Sequence, residues 1–249
     1  MEQLNKKELS QKVEKNSQSY YFSEQQLGID NRTKKLVMEQ IIPYIKEPKV
    51  LELGFVDGMF TDIMLTRGLD VTVVEGAEKH VTYAKNKYKD KKNVSIIHSY
   101  FETFTTQDKY NTILGGDMIQ FLDDPVAFFS KAKNWLDDDG VLIVTTPNRR
   151  SFHRRIGAYL KILSNPEDVS INDKKTGNLT MYDAYQLHDV LVQSGLCVHF
   201  VRGCFLKPLS SNQIKDWDDN LLRAFLKIGD ELGDYGWFLI AYCSKQRLK

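Results

Sequence analysis

The chain has 249 residues, of which 42% are hydrophobic and 27% are charged, as in an ordinary globular protein. Its 34 basic and 33 acidic residues nearly cancel, so no global field recruits nucleic acid or an anionic membrane surface. The sequence has no apolar stretch near the roughly 20 residues that span a bilayer, and its first residues lack the apolar centre of a signal peptide. Three cysteines in no metal-type cluster fit a reducing cytoplasm.

The first thirty residues are expected to form a tail that precedes a single domain at 31–249. Residues 1–19 are polar, and the aromatic cluster Tyr20-Tyr21-Phe22 follows them abruptly. The cluster either anchors the tail to the domain or forms a lid over a ligand, and in the second case Tyr21 is a catalytic candidate. Residues 31–45 then predict an amphipathic helix, which Pro43 kinks or ends.

The turn after the first apolar run carries the residues that point to chemistry. The run 50–53 contains Glu52 near its end. Gly54, Asp57 and Gly58 follow the run, and a helical pattern comes next. This order predicts a buried strand, a glycine turn and a helix, the usual start of a nucleotide-binding α/β sheet. Gly54 lets the backbone turn sharply, and Gly58 leaves room where a ligand or strand comes close. An acid at a strand end suits a cationic group, such as the amino group of a bound amino acid.

The spacing of these glycines distinguishes between cofactors. The dinucleotide fingerprint Gly-x-Gly-x-x-Gly is absent, because Val56 and Met59 stand at its second and third glycines. Glu52, Gly54 and Gly58 instead resemble motif I of the class I S-adenosylmethionine-dependent methyltransferases, acid-x-Gly-x-Gly-x-Gly, with Val56 at the middle glycine. With the further motifs below, the resemblance covers roughly residues 30–245. It implies an α/β fold, a Rossmann-like seven-stranded sheet with helices on both faces and an antiparallel C-terminal strand, and S-adenosyl-L-methionine as cofactor.

The second predicted strand, 70–75, ends in a carboxylate. Glu75 lies 17 residues after Gly58, about where a carboxylate accepts hydrogen bonds from both ribose hydroxyls of the cofactor. Gly76 allows the chain to turn close to that ribose. The alternative for Glu75 is an acid that is only solvated at a strand end.

The third predicted strand, 93–98, is followed by aromatic residues. In the family an acid often follows this strand, near the adenine amino group, but Tyr100 and Phe101 stand here. Adenine recognition would then depend on backbone groups and aromatic packing, and the alternative is that both rings fill the core.

The fourth predicted strand, 110–116, resembles motif IV of the same family. Gly115 and Gly116 end it, and small residues there let backbone carbonyls face the sulfonium and its methyl group. Asp117 either orients a hydroxyl or amine of the acceptor or caps the next turn. Residues 136–140 predict a tight polar turn before the fifth strand. The predicted cofactor-binding residues are Glu52, Gly54, Phe55, Asp57, Gly58, Glu75, Gly76, Tyr100, Phe101 and Gly116.

An insertion at about 148–182 is expected to build the acceptor side. Its arginines are Arg149, Arg150, Arg154 and Arg155. If the segment is helical, Arg150 and Arg154 share a face, and grouped arginines near a pocket suggest an anionic ligand; the alternative is a solvated basic helix face. His153 is the best histidine candidate for catalysis. Tyr182 is a substrate candidate, because it follows Gly177-Asn178 where the family often has Gly-His before an aromatic residue.

The end of the chain predicts strands at 197–203 and 237–245, which pair antiparallel, around a helix at 214–229. Pro147-Asn148, followed by the inserted helix, a polar loop and Tyr182, resembles methyltransferases that decorate cell-surface glycan precursors. This resemblance and the arginines imply methyl transfer to oxygen or nitrogen of a small phosphorylated or nucleotide-linked acceptor in a surface polysaccharide or capsule pathway. No metal, nucleic acid or membrane partner is expected, and a homodimer is left open. The alternatives are a nicotinamide-dependent oxidoreductase, whose ribose Glu75 would equally hold, and a non-catalytic cofactor-binding protein.

Overall fold

The computed structural model describes residues 13–14, 28–55, 57–169 and 180–247. One sheet organises this part of the chain, with strand order β3-β2-β1-β4-β5-β7-β6. The strands are β1 Lys49–Leu53, β2 Asp70–Glu75, β3 Val94–His98, β4 Tyr110–Gly116, β5 Leu136–Pro147, β6 Cys197–Cys204 and β7 Phe238–Ser244.

Helices cover both faces of the sheet. They are α1 Gly28–Ile41, α2 Met59–Thr66, α3 Glu78–Lys87, α4 Pro125–Ala132, α5 Phe152–Tyr159, α6 Ala184–Gln193, α7 Ser211–Ile214 and α8 Asp219–Glu231. Short 3-10 turns lie at Ile42–Tyr44, Ile119–Phe121, Lys133–Trp135 and Gly233–Tyr235. None of the helices in the described ranges is long and apolar enough to cross a membrane.

Two hydrophobic cores form because successive strand residues point to opposite faces of the sheet. Val50 of β1 packs in one core with residues of α1, α2, α3 and α8. Its neighbour Leu51 packs in the other core with residues of α4 and α6. Both faces of β1 are therefore buried, which explains why its sequence reads as a continuous apolar run interrupted only by Glu52.

The sheet topology confirms the predicted fold. β1 pairs parallel with β2 and β4, and β4 pairs parallel with β5. β7 lies antiparallel between β5 and β6. Because β1, β2, β4 and β5 run in the same direction, their carboxyl ends meet at one edge of the sheet, where open α/β sheets bind ligands.

The predicted polar turn at 136–140 was only partly right. β5 already begins at Leu136, which pairs with Tyr110, and the next pair joins Thr112 to Val141. Four residues of β5 therefore stand opposite Asn111 and bulge outward, so that the three aspartates at 137–139 are exposed.

Two helix predictions also need correction. The helix predicted over 214–229 is divided, because the side chain of Asp218 accepts the N–H of Leu221 at 2.9 Å and starts α8 as a new helix. The helix of the insertion begins only at Phe152. Arg150 therefore precedes it in a turn, in which its N–H donates to Oδ1 of Asn148 at 2.9 Å, and does not share a helical face with Arg154.

Candidate functional site

A pocket opens at the carboxyl ends of β1, β2 and β4, with an empty volume of about 1130 Å³ that includes its open mouth. Of the ten predicted cofactor residues, nine line it: Glu52, Gly54, Phe55, Asp57, Glu75, Gly76, Tyr100, Phe101 and Gly116. Residues that the sequence did not single out complete the lining, and the most informative of these are Val13, Lys34, Phe60, His80, Met118 and Phe121.

Glu75 is held in place by backbone groups on both of its oxygens. Oε2 accepts the N–H of Phe55 at 2.9 Å, and Oε1 accepts the N–H of Ala77 at 2.7 Å. Burial alone would raise the pKa of Glu75, but the neighbouring His80 and the two backbone N–H groups outweigh it and hold the pKa below its ordinary value. The carboxylate is therefore ionised at neutral pH, and each oxygen retains a lone pair for a further donor.

Glu52 lies one residue before the end of β1 and is almost fully buried. Its Oε2 accepts a 2.6 Å hydrogen bond from Oγ1 of Thr61 in α2. Burial is the largest influence on this carboxyl group and raises its pKa to about 8, against the lowering effect of Thr61. The group is therefore protonated at neutral pH in the ligand-free pocket, unlike Glu75.

Gly58 is the predicted cofactor residue that does not line the pocket. It caps α2 with a φ of 82°, and an added Cβ would lie 2.6 Å from the Phe55 ring and from the Tyr88 hydroxyl. Phe55 and Tyr88 in turn pack edge to face with ring centroids 6.0 Å apart. The glycine thus makes room for the two rings that support the turn.

Aromatic rings cover the glycines at the pocket wall. A Cβ on Gly116 would lie 2.5 Å from the Phe60 ring, and a Cβ on Gly76 would lie 3.0 Å from the Tyr100 ring. Gly54 has a φ of 92°, and a Cβ added there would lie 3.7 Å from the Phe101 ring. The pocket therefore combines exposed backbone with flat apolar surfaces, which suits a nucleoside.

Asp117 follows β4 directly and adopts a positive φ of 51°. Its Oδ1 accepts Oγ1–H of Thr145 at 3.1 Å, and its Oδ2 lies 3.7 Å from Nζ of Lys34 in α1. Burial raises the pKa of Asp117 against the lowering effect of Lys34. The sequence does not indicate a role for Lys34, because a lysine on a polar helix face is ordinarily solvated.

The predicted substrate arginines lie outside the pocket lining and hold the insertion together. Arg149 pairs with Glu167 and donates to Oε1 of Gln186 at 2.9 Å. Arg154 is buried and donates to the backbone carbonyls of Pro166 and Asp168. The guanidinium of Arg155 lies 4.8 Å from the ring centroid of Tyr235. Arg150 is exposed.

The other acceptor-side candidates, His153 and Tyr182, also lie outside the pocket lining. Nδ1 of His153 lies 3.2 Å from Oγ of Ser151. Burial, with Lys207 and Arg154 nearby, lowers the pKa of His153 to about 3, so its imidazole is neutral at pH 7. Tyr182 is buried and forms a bridge with Asn148 at the end of β5. The catalytic and substrate roles predicted for these two residues stay predictions.

Some predicted features fall outside the described residues: Tyr20-Tyr21-Phe22, Val56 and Gly177-Asn178. Val13 and Glu14 are described, and Val13 reaches the pocket beside Gly76. The Glu14 carboxylate accepts the N–H of Glu78 at 2.9 Å. In the described parts of the chain, no group of three or more His, Cys, Asp or Glu side chains is arranged to hold a metal ion.

The pocket residues fit S-adenosylmethionine. The Glu75 carboxylate has acceptor capacity for two ribose hydroxyls, and the glycines at 54 and 76 leave backbone within reach of a ligand. Tyr100 and Phe101 follow β3, on the side of the pocket where an adenine next to that ribose would lie.

Comparisons with known proteins point to the same family. A model of the methyltransferase domain matches residues 14–199. Malonyl-acyl-carrier-protein O-methyltransferase from a Paenibacillus species is 23% identical over 156 residues, which cover 60% of this chain and 55% of that protein. A similarly named protein from Ilyobacter polytropus is 25% identical over 109 residues, which cover 43% of this chain and 41% of that protein. The chain thus spans about half the length of the curated relatives it matches.

Solved structures share the fold over nearly the whole chain. An S-adenosylmethionine-dependent methyltransferase from Thermotoga maritima, described as a possible histamine N-methyltransferase, has a TM-score of 0.66 at 17% identity and covers 96% of this chain and 100% of its own. The plantazolicin methyltransferase BpumL in complex with SAH has a TM-score of 0.57 at 16% identity and covers 96% of this chain and 97% of its own. The chain therefore belongs to the methyltransferase domain family, whose model matches residues 14–199.

Proposed function

We propose that this chain transfers the methyl group of S-adenosylmethionine to an oxygen or nitrogen atom of a small acceptor. The observation that carries the proposal is the ionised Glu75 carboxylate at the tip of β2, fixed by two backbone N–H groups beside the glycine turn. A carboxylate so placed is preorganised to accept two hydroxyl groups of a ribose, and no rearrangement is needed when the ligand binds.

The strand order supports an assignment of the pocket end that would face the acceptor. An adenine beside Tyr100 and Phe101 lies toward β3, and a ribose at Glu75 lies at β2. The remainder of the cofactor then extends past β1 toward the tip of β4. The acceptor would therefore approach from the side of β4 and β5, where Gly116, Asp117 and Phe121 line the pocket.

The chemistry requires mainly positioning by the protein. S-adenosylmethionine, when bound, supplies a methyl group on a sulfonium whose leaving group is a neutral thioether. The chain must hold the acceptor atom roughly 3 to 3.5 Å from that methyl group and keep water away. Phe60, Met118 and Phe121 provide apolar surface at this end, and Asp117 can accept a hydrogen bond from a hydroxyl or amine of the acceptor.

The acceptor class is the finer part of the proposal. We propose an anionic acceptor, phosphorylated or nucleotide-linked, in a surface polysaccharide or capsule pathway. Arg150, the exposed member of the arginines that follow β5, supports the anionic character of the acceptor. The related proteins are named for different acceptors, malonyl-acyl-carrier protein and plantazolicin among them, so the names of relatives do not select one.

The organisation of the chain is also proposed. A domain at 31–249 with an insertion at about 148–182 would carry the site, and the N-terminal segment would cover the cofactor pocket. The position of Val13 in the pocket wall supports this covering role. The three free cysteines support a cytoplasmic location. A homodimer stays a prediction.

Calorimetry with S-adenosylmethionine and with NADH tests the proposed function. We expect S-adenosylmethionine to bind and NADH not to bind, because the turn lacks the dinucleotide glycine spacing. Binding of NADH alone would reject the proposal in favour of an oxidoreductase. Transfer of a labelled methyl group from bound cofactor into a metabolite extract tests catalysis. Cofactor binding without transfer into any extract would favour a non-catalytic binding protein.

A further inference from the structure

The carboxylate of Asp117 is fixed at the end of the pocket that lies over β4. Its backbone N–H donates to the carbonyl of Thr145 at 3.0 Å, and its Oδ1 accepts the Thr145 hydroxyl at 3.1 Å. Both contacts anchor the residue to β5, next to Gly116 and Met118, which also line the pocket. Asp117 therefore presents its second oxygen, Oδ2, from a rigid position at the tip of the sheet.

The negative charge of this carboxylate faces the positive charge of Lys34. Nζ of Lys34 lies 3.7 Å from Oδ2, which is an ion pair at a distance too long for a hydrogen bond. The two side chains are 28% and 20% exposed, so their charges interact in surroundings of low polarisability. Burial raises the pKa of Asp117, as expected for a carboxylate whose partner does not fully compensate its lost hydration.

The place of the pair relative to the cofactor follows from the strand order. β4 lies on the opposite side of β1 from β2 and β3. A nucleoside whose ribose contacts Glu75 at β2 and whose adenine lies beside Tyr100 and Phe101 would therefore direct its sulfur away from β3, toward the tip of β4. Lys34 and Asp117 line this same part of the pocket.

We infer that Lys34 and Asp117 set how strongly the sulfur end of the pocket distinguishes the positively charged sulfonium cofactor from its neutral thioether product SAH, with Asp117 favouring the sulfonium and Lys34 disfavouring it. The inference rests on the proposed function, because it concerns the same cofactor. In the transfer, the bond from sulfur to the methyl carbon breaks and its electron pair stays on sulfur. The acceptor's lone pair forms the new bond to that carbon, and the proton that a hydroxyl or amine acceptor gives up passes to water.

Loss of the charge on sulfur has a consequence for the catalytic cycle. Asp117 attracts the positively charged sulfonium before transfer, and this attraction is absent for the neutral thioether that remains afterwards. Lys34 repels the sulfonium and so reduces the attraction. A site that binds its product as tightly as its substrate would be inhibited as SAH accumulates. The two charges would thus set how readily SAH is exchanged for fresh cofactor.

The experiment measures Kd for S-adenosylmethionine and for SAH by calorimetry on the full chain, at pH 8 and without acceptor. Asp117→Asn removes the charge, and asparagine tolerates a positive φ. We expect the ratio of Kd for SAH to Kd for S-adenosylmethionine to fall about threefold to tenfold. Lys34→Met leaves the carboxylate unbalanced, and we expect the ratio to rise by a similar factor.

A second ion pair, which joins Asp138 of β5 to Lys245 just after β7, offers matched controls. Lys245 and Asp138 lie 3.8 Å apart, and Asp138 is at the opposite end of β5 from Thr145. That separation is roughly 20 Å along the strand, beyond the Debye length of about 8 to 10 Å. Asp138→Asn and Lys245→Met change the net charge of the chain by the same amounts, and the ratio should stay within about twofold of the unaltered chain.

The possible results separate this inference from the proposed function. If the unaltered chain binds neither compound, the proposed function fails. If it binds both and the ratio is the same in Asp117→Asn and Lys34→Met, the inference is overturned while the function stands. If Asp117→Asn does not fold, Lys34→Met decides alone, because an unchanged ratio in that variant already contradicts the inference.

Discussion

The backbone N–H of Phe55 donates a 2.9 Å hydrogen bond to Oε2 of Glu75. This bond joins the glycine turn after β1 to the tip of β2. The Phe55 ring is buried and packs on Tyr88, so the donor cannot easily turn away. The conformation of the turn and the orientation of the carboxylate are therefore fixed together.

Glu75→Gln tests this relationship. The amide keeps the size of the side chain, but its NH₂ group must face one of the backbone donors at Phe55 and Ala77. We expect a loss of about 1 to 3 kcal/mol in the free energy of unfolding and a cofactor affinity at least about tenfold weaker. Urea unfolding and calorimetry measure the two effects. The matched control is Glu78→Gln, an exposed side chain at the start of α3, and equal effects of both changes would contradict the assigned role.

Glu52 should make stability depend on pH. Its pKa rises from 4.5 to about 8 on folding, so between these values the folded chain holds a proton that the unfolded chain releases. The proton held by Glu52 therefore stabilises the folded chain. This contribution to the free energy of unfolding is fully present below pH 4.5 and decreases by about 1.4 kcal/mol for each pH unit as pH rises toward about 8. Glu52→Gln removes this dependence. The free energy of unfolding of the variant, relative to the unaltered chain, should therefore increase from pH 5 to pH 8 in urea titrations.

The same carboxyl group should release a proton when the cofactor binds at pH 7. A cationic amino group next to Glu52 favours the ionised form and lowers the pKa from its value of about 8. Binding enthalpies measured in phosphate and in Tris would then differ by the ionisation enthalpies of the buffers, and affinity would improve as pH rises toward about 8. Glu52→Gln should abolish the difference between buffers. Identical enthalpies in the unaltered chain would place the amino group elsewhere.

Alanine substitutions at Gly58 and Gly68 distinguish the cost of backbone strain from the cost of steric contact. Both have a positive φ, 82° at Gly58 and 78° at Gly68. A Cβ added at Gly58 would lie 2.6 Å from the Phe55 ring and from the Tyr88 hydroxyl, whereas a Cβ added at Gly68 would have no neighbour within 4 Å. Gly68→Ala should cost about 1 to 2 kcal/mol from the left-handed backbone alone. Gly58→Ala should cost about 1 to 3 kcal/mol more because the rings must move. Equal unfolding free energies for the two variants would show that the rings yield freely.

Arg154→Met distinguishes a structural from a substrate-binding arginine. The buried guanidinium donates to the carbonyls of Pro166 and Asp168, so its removal leaves both without this donor. We expect a loss of about 2 to 4 kcal/mol in the free energy of unfolding. Arg150→Met, at an exposed side chain, should change stability by less than about 0.5 kcal/mol. Unchanged stability of the Arg154 variant with a raised KM for the acceptor would instead support the substrate role.

The residues that form the glycine turn after β1 and the end of β2 could be found in the sequence. Gly54, with the acid two positions earlier, and Glu75 at the end of a β-branched strand are local signals, because turns and strand ends depend on near neighbours. They predicted the strand-turn-helix unit, and the family resemblance that they carry implied the sheet and nine of the residues that line the pocket.

Tertiary structure decided the parts of the site that join distant segments. Lys34 meets Asp117 only because α1 packs over the tip of β4, and no spacing in the sequence records that contact. The arginines at 149–155 look alike in sequence, but Arg154 is buried and Arg150 is exposed. The sequence by itself determined the periodicities and turns that build the sheet, whereas packing decided which charges are buried, because burial and pairing depend on residues far apart in the chain.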